Sequence, residues 1–292
     1  MLSSTESQLD VQAALSAGEQ ALAGRSDSAR LDAELLLSHA LRRNRAWLYA
    51  NPQAPCSASE RTVFEALLAG RAVGRPLAQL TGEKEFWSLP LAVSEYTLIP
   101  RPETEGLVEQ ALQRLPPHST ARVLELGTGS GAIAVALATE RPALRLVATD
   151  RCEQALEVAR TNAARHAPTP IEFRLGDWYA VLQPGERFAM IVSNPPYIGE
   201  TETPQTDAEL RFEPTQALYS GRDGLNALRH IISGAADRLE DGGWLLLEHG
   251  FRQAVAVAAE CTAAGLTALQ QYRDLAGHPR VTCARYSGGG AA

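Results

Sequence analysis

Lysine is nearly missing from this chain: of its 27 basic residues only Lys84 is not arginine. With the abundant alanine this reads as coding bias, which bears on source and not on mechanism. Cysteine is sparse too. Cys56, Cys152, Cys261 and Cys283 form no Cys-x-x-Cys pair, which argues against a zinc site, so no metal is expected. Four scattered thiols in a chain of this length fit a reduced, cytoplasmic protein. There is no excess of positive charge: the net charge is −7 and the pI about 5.5. Broad nucleic-acid binding needs a basic footprint, so direct contact with nucleic acid is not expected. Arg42, Arg43 and Arg45 are the only tight basic cluster, and a solvated surface is their expected place. No apolar run approaches the ~20 residues that span a bilayer. The opening Met1-Leu2-Ser3-Ser4-Thr5-Glu6 lacks the basic and apolar regions of a signal peptide. No internal repeat is present. What remains is ordinary globular composition, 45% hydrophobic and 21% charged over 292 residues, enough for one large domain or two smaller ones.

The chain divides by pattern. Residues 1–75 read as a small helical bundle. Leu9, Ala13, Leu15 and Leu22 form one loose stripe at helical spacing; Leu31, Leu35, Leu36 and Ala40 form another. Ser57 or Ser59 can cap a third helix whose buried face is Val63, Phe64, Leu67 and Leu68, and Gly74-Arg75-Pro76 ends it. In residues 76–102 the alternation of Phe86, Trp87, Leu89, Leu91 and Val93 suggests a hairpin linker. Over residues 103–286 helices alternate with strands. Strands are expected at 122–126, 144–149, 171–175, 188–193 and 244–248, then an antiparallel pair at 267–272 and 279–286. Helices are expected at 104–115, 131–140, 152–165, 224–239 and 251–263. This is an α/β fold: a Rossmann-like parallel sheet with an antiparallel C-terminal strand and helices on both faces. The tail 287–292 is expected to be disordered.

Ser193-Asn194-Pro195-Pro196-Tyr197 follows the apolar run Phe188–Val192. Each proline fixes its own φ and pushes the preceding residue to extended geometry. Asn194 and Pro195 therefore keep their oxygens out of any helix, beside the ring of Tyr197. Such a cluster of acceptors suits a planar –NH2 group: oxygens take its two N–H bonds and the ring covers its face.

Gly127-Thr128-Gly129-Ser130-Gly131 lies between a predicted strand and a predicted helix, where glycines let a ligand approach the backbone closely. Asp150 ends the next strand, 19 residues after Gly131, where a carboxylate can accept from both hydroxyls of a ribose. Together these residues indicate a nucleoside-containing cofactor. The series Gly127, Gly129, Ala132 also fits a dinucleotide loop, so NAD stays open on these residues alone. Three observations favour S-adenosylmethionine: Glu125 offers a carboxylate to a cationic methionine end, the third glycine leaves little room for a pyrophosphate, and hydride transfer has no use for Asn-Pro-Pro-Tyr. After the third strand, Asp177 is placed to bind an adenine amino group and Trp178 to cover the ring.

With these pieces in order the chain resembles the Class I S-adenosylmethionine-dependent methyltransferases. More closely it resembles the PrmC/HemK family, which methylates the glutamine side-chain amide of peptide-chain release factors. The likeness covers nearly the whole chain. It rests on the helical N-terminal domain, on Leu98-Ile99-Pro100-Arg101-Pro102-Glu103-Thr104-Glu105, on Glu125 through Ala134 and on Asn194-Pro195-Pro196-Tyr197-Ile198. The resemblance implies that Gly127, Thr128, Gly129, Ser130, Gly131, Asp150, Asp177, Trp178 and Asn194 contact S-adenosylmethionine, which leaves as S-adenosylhomocysteine. It implies that Asn194, Pro195, Pro196 and Tyr197 hold the acceptor glutamine, with Asn194, Pro195 and Tyr197 carrying the catalysis. It implies class I release factors as partners and a helical domain that docks them. Arg101, Glu103 and Glu105 shape the pocket in ways the sequence does not assign. No general base is needed before transfer, so the six histidines read as structural or surface residues. A monomer is expected. Two rivals share parts of the pattern: an adenine-N6 nucleic-acid methyltransferase using the same amine site, and a dehydrogenase or nucleotide-binding module using the glycine loop.

Overall fold

The computed structural model describes residues 9–202 and 209–288, and these form two compact units. The expectations for residues 1–8 and 289–292 lie outside the described residues.

The first unit holds residues 9–82 together with 209–212. Its helices are α1 (Val11–Leu22), α2 (Ala29–Leu41), α3 (Arg45–Ala50), α4 (Ala58–Ala72) and α5 (Leu77–Thr81). Asp10 caps α1 by accepting from the Ala13 N–H at 2.8 Å. Ser57 and Glu60 form a reciprocal capping box on α4, the device that makes Ser57 rather than Ser59 the cap. The core comprises Val11, Leu15, Leu22, Leu36, Leu37, Leu48, Phe64 and Leu68. The stripe expected on α2 is rotated: Leu31 is exposed, whereas Asp32 and Glu34 are buried. Charge pairing explains this. Burial pushes the Asp32 carboxyl up, but hydrogen bonds from Arg71, Ser26 and Ser28 more than offset it and hold it below its usual range. Glu34 accepts from Arg30, Arg45 and the Tyr49 hydroxyl. Arg45 is therefore not a freely solvated member of its cluster. The 3-10 turn Leu210–Phe212 joins this unit through Gln79, which donates to the Phe212 carbonyl at 2.9 Å, and through Arg71, which pairs with Glu209.

The second unit opens on a hairpin, β1 (Glu83–Phe86) and β2 (Leu89–Ala92). Its turn is Trp87-Ser88, both left-handed with φ of 53° and 57°. That conformation matches the natural twist of paired strands. Helix α6 (Pro102–Arg114) then leads into β3 (Arg122–Leu126), α7 (Ala132–Glu140), β4 (Arg145–Asp150), α8 (Glu153–His166), β5 (Glu172–Leu175) and β6 (Phe188–Ser193). After these come α9 (Thr215–Leu218), α10 (Asn226–Arg238), β7 (Leu239–Glu248), α11 (Ala254–Ala263), β8 (Leu266–Arg273) and β9 (Pro279–Tyr286). The strand order is β5-β4-β3-β6-β7-β9-β8, with β9 antiparallel to both its neighbours and the other pairs parallel. One face of the sheet packs on α6, α7 and the hairpin, the other on α10 and α11. Every residue of α7 from Ala132 to Ala138 is buried, so this helix is apolar all round, as an interior helix must be. Among the described residues no helix is long and apolar enough to cross a membrane. Nor, among them, is any group of three or more His, Cys, Asp or Glu placed to hold a metal ion.

Candidate active site

The strand order reverses direction between β3 and β6, and open α/β sheets bind ligands at such a switch point. Leu126 and Ser193 are register partners, and Ser193 donates its hydroxyl to the Leu126 carbonyl at 2.7 Å. The glycine loop and the Asn-Pro-Pro-Tyr turn therefore leave the sheet side by side. A cavity of about 420 Å³ opens above them, lined from both.

On the glycine-loop side the protein satisfies its own polar atoms. The N–H groups of Gly127 and Thr128 both donate to the Thr149 carbonyl at 2.9 Å. Asp150 accepts from the N–H of Gly129 at 2.8 Å and of Cys152 at 2.9 Å, one on each carboxylate oxygen. Each oxygen keeps a lone pair for a ligand. Burial raises the Asp150 pKa above its ordinary value, and these backbone donors act against the rise. Asn162, fully buried, accepts from the Ala92 N–H and donates to the carbonyls of Ala92 and Ser130 at 2.7, 2.9 and 2.8 Å. It pins hairpin, helix α8 and glycine loop together.

Glu125 lines the cavity, but the protein engages one oxygen of the carboxyl that the sequence assigned to the cofactor. Its Oε2 accepts from the Thr128 hydroxyl at 2.7 Å and from the Ala134 N–H at 3.0 Å. Burial pushes its pKa up to about 8. It ties the loop to the start of α7, although it still lines the cavity. Gly131 is absent from the lining. A β-carbon there would lie 3.1 Å from that of Ala159, so this glycine serves helix packing. Asp177 and Trp178 line the cavity. Trp178 holds a left-handed φ of 44°, uncommon for a bulky residue, and its ring lies over Gly127.

On the other side Asn194 donates through Nδ2 to the Thr104 hydroxyl at 3.0 Å. Its Oδ1 is buried without a hydrogen-bond partner. Pro196 lines the cavity; Pro195 and Tyr197 do not. The Tyr197 ring packs against the core beneath α10 and α11. Its hydroxyl donates to Glu248 Oε1 at 3.3 Å, and its carbonyl accepts from Gln253 at 2.9 Å. The hydroxyl contact turns the ring towards the end of β7, whereas the sequence placed it against the acceptor. Arg101 lines the cavity and pairs with buried Glu213. Glu105 accepts from the Trp87 N–H at 2.8 Å and so anchors the hairpin; neither it nor Glu103 lines the cavity.

Several lining residues escaped the sequence reading. His230 is one, with its ring centroid 6.4 Å from that of Trp178; Asn226 and Tyr219 are others. Thr104 and Glu248 also went unassigned. Glu248 carried a usable signal, since like Asp150 it is an acid ending an apolar strand.

Residues 13–82 match the family described as PrmC N-terminal domain, and residues 108–221 match the Methyltransferase small domain. The release factor glutamine methyltransferase of Xylella fastidiosa (strain Temecula1) is 51% identical over 259 residues, covering 89% of this chain and 94% of that protein. The Escherichia coli (strain K12) protein of the same name is 46% identical over 261 residues, with 89% and 94% covered. In fold the chain is similar to a methyltransferase from Pyrococcus furiosus, with a TM-score of 0.52, 17% identity, and 80% and 100% of the two chains covered. Identity at this level along nearly the full length, on a sheet that brings the glycine loop and the Asn-Pro-Pro-Tyr turn to one cavity, makes the chain a member of the release factor glutamine methyltransferase family.

Proposed function

We propose that the enzyme transfers a methyl group from S-adenosylmethionine to the side-chain amide nitrogen of the glutamine in the Gly-Gly-Gln motif of class I release factors. One observation carries this reading: Asn194 Oδ1 is a buried acceptor without a partner, at the mouth of the turn beside the cavity. A buried polar atom left unpaired costs free energy, and native proteins keep such atoms for a reason. An acceptor's N–H satisfies it.

The residues present fit S-adenosylmethionine. Asp150 suits the ribose, Asp177 and Trp178 the adenine, and the left-handed backbone of Gly127 and Gly129 leaves space for close approach. When bound, the group supplies an electrophilic methyl. The chain's own residues do the rest. Asn194 Oδ1 accepts one N–H of the glutamine amide, and the family resemblance gives the other to the carbonyl of Pro195, which lies between the two turn residues that line the cavity; together they hold the nitrogen still. With both protons engaged by fixed oxygens, the lone pair is steered out of conjugation with the carbonyl and towards the donor side; once the nitrogen gains the methyl it is strongly acidic and loses one of its two protons to solvent, so no strong base is needed beforehand. This is catalysis by positioning and preorganised dipoles. Pro196 and Trp178 narrow the cavity against water. In this reading the helical unit docks the release factor. The enzyme is cytoplasmic and monomeric and needs no direct contact with nucleic acid, in keeping with its net charge of −7.

Incubating the full chain with S-adenosylmethionine carrying a labelled methyl and with a purified class I release factor tests the proposal. Peptide mass spectrometry is expected to find one added methyl on the glutamine of Gly-Gly-Gln. Label appearing on duplex DNA and not on the release factor would refute it.

A further inference from the structure

Two consecutive prolines leave the Asn-Pro-Pro-Tyr turn short of ways to hold itself. Each fixes its own φ, but neither has an N–H to give. The shape of the turn is thus stiff, while its placement falls to the groups on either side of the prolines. The structure supplies a tie at each end. At the front, Asn194 Nδ2 donates to the Thr104 hydroxyl oxygen at 3.0 Å. At the back, the Tyr197 carbonyl accepts from Gln253 Nε2 at 2.9 Å.

Both ties start from fixed points. Thr104 stands in the first turn of α6, which Pro102 opens, and is only 4% exposed. Its β-branched side chain is stiff about χ1. The terminal torsion of an asparagine is by contrast broad, so the Asn194 amide needs a partner to settle its plane. With Nδ2 held by Thr104, Oδ1 is the end left bare. Gln253 has both ends of its amide engaged. Its Oε1 accepts from the Gly250 N–H at 2.9 Å, and its Nε2 donates to the carbonyls of Tyr197 and Asp223 at 2.9 and 3.4 Å. One N–H and two carbonyls admit a single orientation of that amide, since a flip would set NH2 against N–H and oxygen against oxygen. Gln253 thereby joins the segments that follow β6 and β7 and the one that precedes α10. The fit there is close: a β-carbon on Gly224 would lie 2.2 Å from the Tyr197 oxygen and 2.7 Å from Gln253 Nε2.

We propose that Thr104 and Gln253 are positioning residues that brace the turn from its two ends: Thr104 aims the Asn194 amide, and Gln253 holds the backbone that carries the Pro195 carbonyl. The inference rests on the assignment of glutamine methylation to this site and specifies how the site is held in its working geometry. Thr104 lines the cavity, whereas Gln253 does not, so an effect of Gln253 on the reaction reaches it through the turn. A misplacement of about 1 Å can cost about 10²-fold in rate. Loosening either tie should therefore slow transfer and leave binding of the cofactor nearly alone.

The test is single-turnover methyl transfer to a purified class I release factor by the full-length protein, with S-adenosylmethionine affinity measured alongside by calorimetry. Thr104→Val keeps the shape and removes the hydroxyl. It should slow transfer about five- to tenfold, the worth of one hydrogen bond, whereas Thr104→Ser should run within about twofold of native. Gln253→Leu removes all three bonds of the clamp and should slow transfer about tenfold or more. Gln253→Glu keeps the size and the tie to Gly250 but turns an oxygen on two carbonyls, and should be at least as slow. Cofactor affinity should stay within about threefold of native throughout, since a positioning defect acts on the transition state. The decisive arm is a double-mutant cycle. A residue that works through the Asn194 amide has nothing to add once that amide is gone, so Thr104→Val made in Asn194→Ala should cost less than about twofold further. A residue that only stabilises the fold would cost the same in both backgrounds. Equal costs there, native rates in Thr104→Val or Gln253→Leu, or losses of affinity as large as the losses of rate would overturn the brace while leaving glutamine methylation standing. A native enzyme that methylates no glutamine would overturn the reading beneath it, and the brace with it.

Discussion

The two sides of the cavity treat their hydrogen-bonding atoms in opposite ways. Around the glycine loop, Asp150, Glu125 and Asn162 each spend side-chain atoms on the protein's own backbone. At the Asn-Pro-Pro-Tyr turn, Asn194 bonds the protein with its nitrogen alone and keeps its oxygen bare. Self-satisfied atoms build a rigid cradle that a large cofactor enters by shape. A bare, fixed acceptor is a demand for one particular donor. The contrast teaches where binding ends and chemistry begins: mutations on the loop side should act on affinity and stability, and mutations at the turn on rate.

The sharpest way to break that contrast is Asn194→Ala. It should reduce single-turnover transfer by about 10²-fold or more, roughly 2.7 kcal/mol, with calorimetric cofactor affinity within about threefold of native. Equal losses in both would erase the distinction. Asp150→Ala is the mirror experiment. It should weaken cofactor binding by about tenfold, the scale of one hydrogen bond to a charged group, and leave the transfer rate at saturating cofactor nearly native. Calorimetry showing unchanged affinity would mean that the carboxylate serves only Gly129 and Cys152.

Within the loop itself, two glycines should separate. Gly129 and Gly131 both hold left-handed φ, 55° and 81°. Alanine at Gly131 would press on Ala159, with backbone Cα only 3.2 Å away, whereas at Gly129 it would meet nothing within 4 Å. Gly131→Ala should therefore cost about 1–3 kcal/mol in chemical denaturation with little specific effect on binding. Gly129→Ala should show only the smaller conformational strain in stability, yet should lose cofactor affinity because Gly129 lines the cavity. Identical stability losses in the two variants would show that the conformational strain alone decides.

Much of this was legible in the chain. Strand β3 matched its expected span, and β4, β6 and β7 announced themselves as apolar runs. The punctuation that ended them, Gly127, Asp150 and Asn194, fell where parallel strands deliver their C-terminal edges. Helix α3 went unread because six residues carry too little periodicity. The stripe on α2 was misread because Asp32 and Glu34 are buried by arginines at 71, 30 and 45, partners that no local pattern displays. The Trp87-Ser88 turn lacks the Asn or Gly that marks its type. The same limit governs the site. Asn194 and Asp150 could be found because local geometry at a strand end explains them. Thr104 and His230 could not, because each acquires its meaning from a neighbour far away along the chain, Asn194 for the one and Trp178 for the other; Glu248, an acid at the end of an apolar strand, carried the same signal as Asp150 and went unused.

The smallest effect expected is that of Tyr197→Phe, and it bears on the turn more finely than any loss of the asparagine. The sequence suggested a ring lying on the acceptor amide; the structure ties the ring away from the cavity, with only its hydroxyl in contact with Glu248, at 3.3 Å. Phenylalanine keeps the packing and removes that donor. Tyr197 favours the charged carboxylate, so its loss should raise the Glu248 pKa. Neither the ring nor this carboxyl lines the cavity, so transfer at saturating substrates should change by less than about twofold. The loss should appear in chemical denaturation instead, at about 0.5–1.5 kcal/mol, the worth of one hydrogen bond. A variant of native stability that transfers slowly would put the ring against the substrate after all, and the turn would then act through its aromatic face as well as through Asn194.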